Sequence, residues 1–185
     1  MKTMVFFLEE PSAQKMLAEL LPKILPPGII PRYLVFQGKQ DLEKNLVRKL
    51  KGWRQPESTF VVMRDQDSGD CVAIKKKLIE LCRQAGKDGA LIRIACHELE
   101  SFYLGDLEAI EKGLGIKGIA SQRERSKYRN PDELSNPSEE MMKLTKGAYQ
   151  KVSGSRSIGP HLDLRNNRSH SFNVLLKGLR NLMEV

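Results

Sequence analysis

Cysteine is scarce in this chain. Cys71, Cys82 and Cys96 are the only three in 185 residues, an odd set with no C-x-x-C spacing, so the sequence offers no disulfide framework. It shows no signal peptide and no apolar run long enough to cross a bilayer, and these absences together point to a reduced, cytoplasmic protein. Aromatic residues make up only 6%, which gives weak support to a base-stacking platform for single strands. There is no P-loop, no G-x-G-x-x-G and no G-x-S-x-G. Nucleotide hydrolysis, dinucleotide binding and α/β-hydrolase chemistry therefore lack their usual signatures. No internal repeat is visible.

What is present is enough apolar material, 40% of the residues, to bury a core without staples, and the length suggests one domain spanning residues 1–185. Lys and Arg total 31 against 23 Asp and Glu, a net charge of +8 that favours an anionic partner such as nucleic acid. The excess is uneven. Residues 1–116 carry 18 basic and 16 acidic side chains, whereas residues 117–185 carry 13 and 7. An anion-binding surface is thus expected to draw on the C-terminal third.

The first 116 residues alternate strand and helix patterns. Met4–Leu8 is a continuous apolar run, typical of a strand covered on both faces, and Pro11 opens a helix carrying Met16, Leu17, Leu20 and Leu21. A strand is expected around Arg32–Gln37, a helix over Asp41–Leu50, a strand over Thr59–Met63, a helix over Cys71–Gln84 and a strand over Ala90–Cys96. Four βα units argue for a three-layer α/β core with a mainly parallel, Rossmann-like sheet. Beyond Lys117 the texture changes. Residues 118–137 are polar and aperiodic and read as a long loop, Asn136-Pro137 as a helix start, residues 153–171 as a second irregular stretch, and Phe172 to Leu182 as a final helix. The expected organisation is an α/β core, 1–116, with a basic loop and helix extension, 117–185.

Three of the expected strands end in acidic residues: Glu9-Glu10, Asp65-x-Asp67 and Glu98-x-Glu100. In parallel α/β sheets, ligands gather at the carboxyl ends of strands, where the loops diverge. Hard divalent cations take oxygen ligands, and two residues apart in an extended segment point to one side, so Asp65 and Asp67 suit a shared ion. A neighbouring carboxylate then serves as general base or as ligand to a second metal. The bland alternative is that charges flank buried strands because the chain reaches solvent there; Asp70 reads as a helix cap. Glu98 or Glu100 is a candidate for the second metal, with capping of a helix start as the competing role.

The segments Phe7-Leu8-Glu9-Glu10-Pro11-Ser12-Ala13, Val61 to Cys71 and Cys96 to Asp106, with Ser169-His170-Ser171-Phe172 near the end, resemble the DUF4276 group of bacterial proteins, which is similar to the Toprim fold. Toprim domains serve topoisomerases, primases and OLD-type nucleases as Mg²⁺-dependent phosphodiester sites. The resemblance implies that Glu9 matches the Toprim glutamate and that Asp65 and Asp67 match its metal-binding pair; the usual Glu-Gly is Glu9-Glu10 here. It also implies a Mg²⁺ or Mn²⁺ cofactor, and an ABC- or SMC-like ATPase partner in an anti-phage system.

Carboxylates and metal alone repel a polyanion, so a nuclease site needs cations around it. Arg123, Arg125, Lys127 and Arg129, and then Lys151, Arg156, Arg165 and Arg168, are the candidates, with Gly154 and Gly159 letting the backbone approach a phosphate. For any single one of them a solvated loop charge is the simpler reading. Trp53 and Tyr128 are candidates for stacking on bases. His161 and His170 have no metal-ligand spacing to a second His or Cys, and His97 reads as packed beside the fourth strand. The leading expectation is a Mg²⁺-dependent, Toprim-like nuclease; the alternative is a catalytically inactive Toprim-like nucleic-acid-binding or regulatory subunit. A receiver-like phosphoacceptor domain is the third, although the Lys expected after a fifth strand has no clear counterpart.

Overall fold

The computed structural model describes residues 2–183. Its sheet has four strands, β1 (Lys2–Leu8), β2 (Ile29–Val35), β3 (Ser58–Asp65) and β4 (Leu91–Ala95), all parallel, in the order β2-β1-β3-β4. The α/β class expected from the sequence is borne out. β1 and β3 lie in the middle, buried on both faces, which is why their sequences run apolar without alternation. β2 is an edge strand, and it tolerates Pro31 opposite Met4 for that reason.

Side chains alternate across the sheet. Met4, Phe6, Leu8, Val61 and Met63 face one layer, built on α1 (Pro11–Leu20); Val5, Phe7, Phe60 and Val62 face the other, formed by α2 (Lys39–Gly52) and α3 (Cys71–Gln84). Asp70 caps α3 as expected, its carboxylate accepting the Ala73 N–H at 2.6 Å. After β4 the chain forms α4 (Glu100–Leu104) and α5 (Leu107–Leu114), then α6 (Pro137–Leu144), α7 (Lys151–Ile158) and α8 (His170–Met183). Tyr149, Ile158, Phe172 and Leu176 from this later part share one apolar cluster with Phe6 and Leu8.

Two segments differ from the sequence reading. Residues 118–137 contain three short 3₁₀ turns, and Tyr128 is buried among them with its hydroxyl donating to Glu140 at 2.6 Å, so its ring is not offered to bases. The Ser- and Gly-rich run after Lys151 is helical. Gly154 sits against the Tyr149 ring, where an added Cβ would lie 2.5 Å from Cδ2, and Gly159 abuts α1. Both glycines serve helix packing, not a phosphate loop. Trp53 is likewise occupied, with its Nε1–H on Ser58 and its ring edge against Phe60.

Candidate active site

The carboxyl ends of β1, β3 and β4 are tied together by backbone bonds that continue the sheet. Glu9 N–H donates to Met63 O, Gln66 N–H to Ala95 O, and Asp67 N–H to His97 O at 2.7 Å. Asp67 and His97 both take left-handed backbone angles, φ 54° and 56°, so the loops after β3 and β4 turn sharply at the point where they touch. Carboxylates projecting from these ends are held by the sheet itself.

The left-handed turn at Asp67 then separates Asp65 from Asp67. Asp65 points to the α1 side and is 8% exposed; burial raises its pKa well above the usual carboxylate range, helped by the charges of Glu10, Glu100 and Glu9 and opposed by a hydrogen bond from the Leu99 backbone. Glu100, at the start of α4, is fully buried. Burial raises its pKa too, although Lys151 and the Tyr149 hydroxyl, 2.9 Å from Oε1, pull the other way. Its Oε2 is buried with no hydrogen-bond partner. Glu9 Oε2 accepts the Asp65 N–H at 3.0 Å, and burial raises this pKa as well. Glu10 is within electrostatic reach of all three and is held by the Ser12 hydroxyl.

Among the described residues, one ammonium faces this cluster. Lys151 Nζ lies 3.8 Å from Glu10 Oε2 and 3.9 Å from Glu100 Oε1. Burial disfavours its charge, but Glu100, Glu10 and Asp65 outweigh that and hold its pKa above the ordinary lysine value. The chain thus gathers Glu10, Asp65 and Glu100, with Glu9 adjoining, around a single lysine.

Asp67 lies on the other side. Arg64, 5% exposed, alternates with Asp65 and turns toward α2, with its guanidinium 3.6 Å from Asp67, 3.8 Å from Glu9 and 2.8 Å from Glu43. Asp67 also pairs with Lys39 at 2.7 Å. Glu98 is engaged as well. It receives the Ser138 N–H at 2.7 Å and hydroxyl at 2.9 Å, holding the start of α6. Arg156 lies farther along α7, highly exposed and 3.7 Å from Glu19. Arg165 is exposed, and Arg168 is anchored to Glu124 and to the Arg123 carbonyl. Glu10 was named from the sequence only as part of the Glu9-Glu10 pair, and Arg64 was not singled out, because an arginine inside a strand carries no spacing signal.

As they stand, no three Asp, Glu, His or Cys side chains among the described residues are arranged to hold one ion. The chemistry of the donors does fit a hard divalent cation: the groups are carboxylate oxygens, they raise one another's pKa, and one buried oxygen lacks a partner.

No helix among the described residues is long and apolar enough to cross a membrane. No curated protein matches the chain. A solved structure, the C-terminal region of the Burkholderia pseudomallei OLD protein, is similar in fold, with a TM-score of 0.56 at 18% identity over 97% of this chain and 98% of that one. The model of the family described as a domain of unknown function, DUF4276, matches residues 8–180, and the chain belongs to that family.

Proposed function

We propose that this protein is a Toprim-like, Mg²⁺- or Mn²⁺-dependent nuclease whose centre is the carboxylate set at the ends of β1 and β3 and the start of α4. One observation carries the reading: Asp65 and Glu100 are buried acids that face Glu9 and Glu10, and among the described residues the cations beside these four acids are Lys151, next to Glu10 and Glu100, and Arg64, which reaches Glu9 from the α2 side. Such an arrangement is costly without a cation and suits one of charge two. Asp65, Glu100 and Glu10 or Glu9 would hold the metal, which when bound activates water and stabilises charge on a phosphate.

The chain's own residues account for the rest. Glu9, partly exposed and with a raised pKa, is placed to accept a proton from attacking water. Lys151 is about half exposed, and its ammonium can leave the carboxylates for a phosphate oxygen; Arg156 follows along α7 toward solvent. Asp67 joins the centre by exchanging its Lys39 and Arg64 partners, and Glu98 by releasing Ser138. Residues 1–185 act as one unit in this reading, since α7 from the basic part supplies the lysine of the cluster. The resemblance adds a cytoplasmic anti-phage setting and an ABC- or SMC-like ATPase partner.

The inactive-subunit reading is favoured by one observation, that Asp67 and Glu98 are already paired inside the fold. Cleavage of labelled single- and double-stranded DNA and RNA, with the protein alone and with an ATPase encoded beside it, separates the two. The nuclease reading predicts cleavage that Mn²⁺ or Mg²⁺ stimulates and Asp65→Ala abolishes. Absence of metal-stimulated cleavage under every condition refutes it.

A further inference from the structure

A cavity distinct from the carboxylate cluster opens at the other end of α7. That helix begins at Lys151 beside the cluster, its eight residues span roughly 12 Å, and the following turn, Gly159–His161, delivers His161 to the cavity wall. The cavity measures about 360 Å³, the scale of a small-ligand site. Lys112 of α5, Arg123 and Arg168 stand in the same wall.

The two aspartates in the wall are committed to the fold. Asp106 caps α5 through Ala109 N–H at 3.0 Å and also takes the Asp163 N–H at 2.7 Å. Asp163 accepts the N–H groups of Arg165 and Asn166 at 2.7 and 3.1 Å and the Asn166 amide at 3.1 Å. Both also feel the charge of Lys23, whose ammonium is fixed on the carbonyls of Pro160 and Leu162. Glu108 is the remaining acid, 3.7 Å from Arg123. On the cationic side, Arg168 is held rigidly by the Arg123 carbonyl at 2.6 Å and Glu124 at 2.8 Å. Lys112 and His161 have no hydrogen-bond or ion-pair partner among the described residues.

The aspartates of this wall are satisfied internally and its two arginines share Glu108 and Glu124, so Lys112 and His161 are the donors left to meet an anion. We propose that this cavity binds a phosphate group, with Lys112 and His161 as its direct contacts and Arg168 and Arg123 as the fixed positive rim. The choice of phosphate among anions rests on the nuclease reading; the two unpartnered donors in the wall do not. The phosphate belongs either to a nucleic-acid strand that continues past the cluster or to a free nucleotide.

The test is binding in EDTA, where metal-dependent cleavage is silent. A fluorescein-labelled single-stranded oligonucleotide is followed by anisotropy and a nucleoside monophosphate by calorimetry, with wild type, Lys112→Glu/His161→Ala, Glu108→Gln and Asp65→Asn. All the cavity substitutions are at exposed positions, and thermal melting checks that each variant is folded. The double variant is expected to lose oligonucleotide affinity by about tenfold or more, and Glu108→Gln to gain affinity. If only the oligonucleotide responds, the phosphate comes from a strand; if the monophosphate binds, competes and is lost in the same variant, it comes from a free nucleotide. Wild type binding neither ligand, or the double variant binding both unchanged, overturns the proposal. Cleavage by wild type and Asp65→Asn is scored separately, so an inactive protein whose EDTA binding depends on Lys112 retains the cavity and loses the nuclease reading.

Discussion

Asp65 is the residue on which site chemistry and stability pull in opposite directions. Its carboxyl is buried among Glu9, Glu10 and Glu100, so ionising it in the folded chain without a divalent ion is unfavourable. Asp65→Asn keeps an acceptor for the Leu99 N–H and removes the repulsion. In EDTA it is expected to gain about 1 kcal/mol, or roughly 2–4 °C in Tm, while losing metal-stimulated cleavage. The sign of the pH effect follows from the same groups. Asp65, Glu100 and Glu9 all have folded pKa values above their unfolded ones, so their contribution is fully present below the ordinary carboxylate range and is lost as pH rises through the raised values. In EDTA the Tm is expected to rise as pH falls from neutral toward the ordinary carboxylate range, and Asp65→Asn to shrink that rise; a flat wild-type profile contradicts it. Arg64 is the counterpart on the α2 side. Arg64→Met leaves Glu9, Glu43 and Asp67 short of a counter-charge and is expected to cost about 2–3 kcal/mol, the modest end for a broken buried pair because those acids keep some solvent contact; urea titration measures it. The acids after β1 and β3 were legible because strand ends are where a parallel sheet exposes function. The partition of Asp65 from Asp67 was not, because it depends on the left-handed turn at Asp67.

Among the elements, α7 shows most clearly what sequence pattern hides. Gly154 and three serines within eight residues look like a loop, since glycine weakens a helix and serine competes for its backbone. Tertiary contact overrides propensity here: the absence of a side chain at Gly154 lets α7 close on Tyr149, whose hydroxyl then reaches Glu100. Gly154→Ala inserts a methyl into that contact. A stability loss of about 1–3 kcal/mol is expected despite alanine's better helix propensity, and thermal melting against Ser153→Ala as an exposed control checks it. The strands and α3 were legible for the opposite reason, because long apolar runs and an Asp N-cap act locally. The turns of residues 118–137 follow no period and are organised by one buried ring, Tyr128, which only the folded contacts reveal.

Across the whole molecule, the uneven charge noted in the sequence acquires a geometry. A nearly balanced first part brings carboxylates to the ends of a parallel sheet, and the basic second part packs against the same core and lays α7 between the acidic cluster at its start and the cavity beyond its end. The fold class was readable because βα alternation determines it; the placement of α7 was not, because it rests on contacts far apart in sequence, such as Lys151 with Glu10. The central claim is that the cluster takes up a divalent ion. Titrating metal-free protein with Mn²⁺ and following the free-ion signal by electron paramagnetic resonance measures this without reference to any substrate. Saturable binding to wild type that Asp65→Asn and Glu100→Gln each weaken by about tenfold or more is the predicted result, and equal uptake by all three proteins, or none by wild type, would contradict the account.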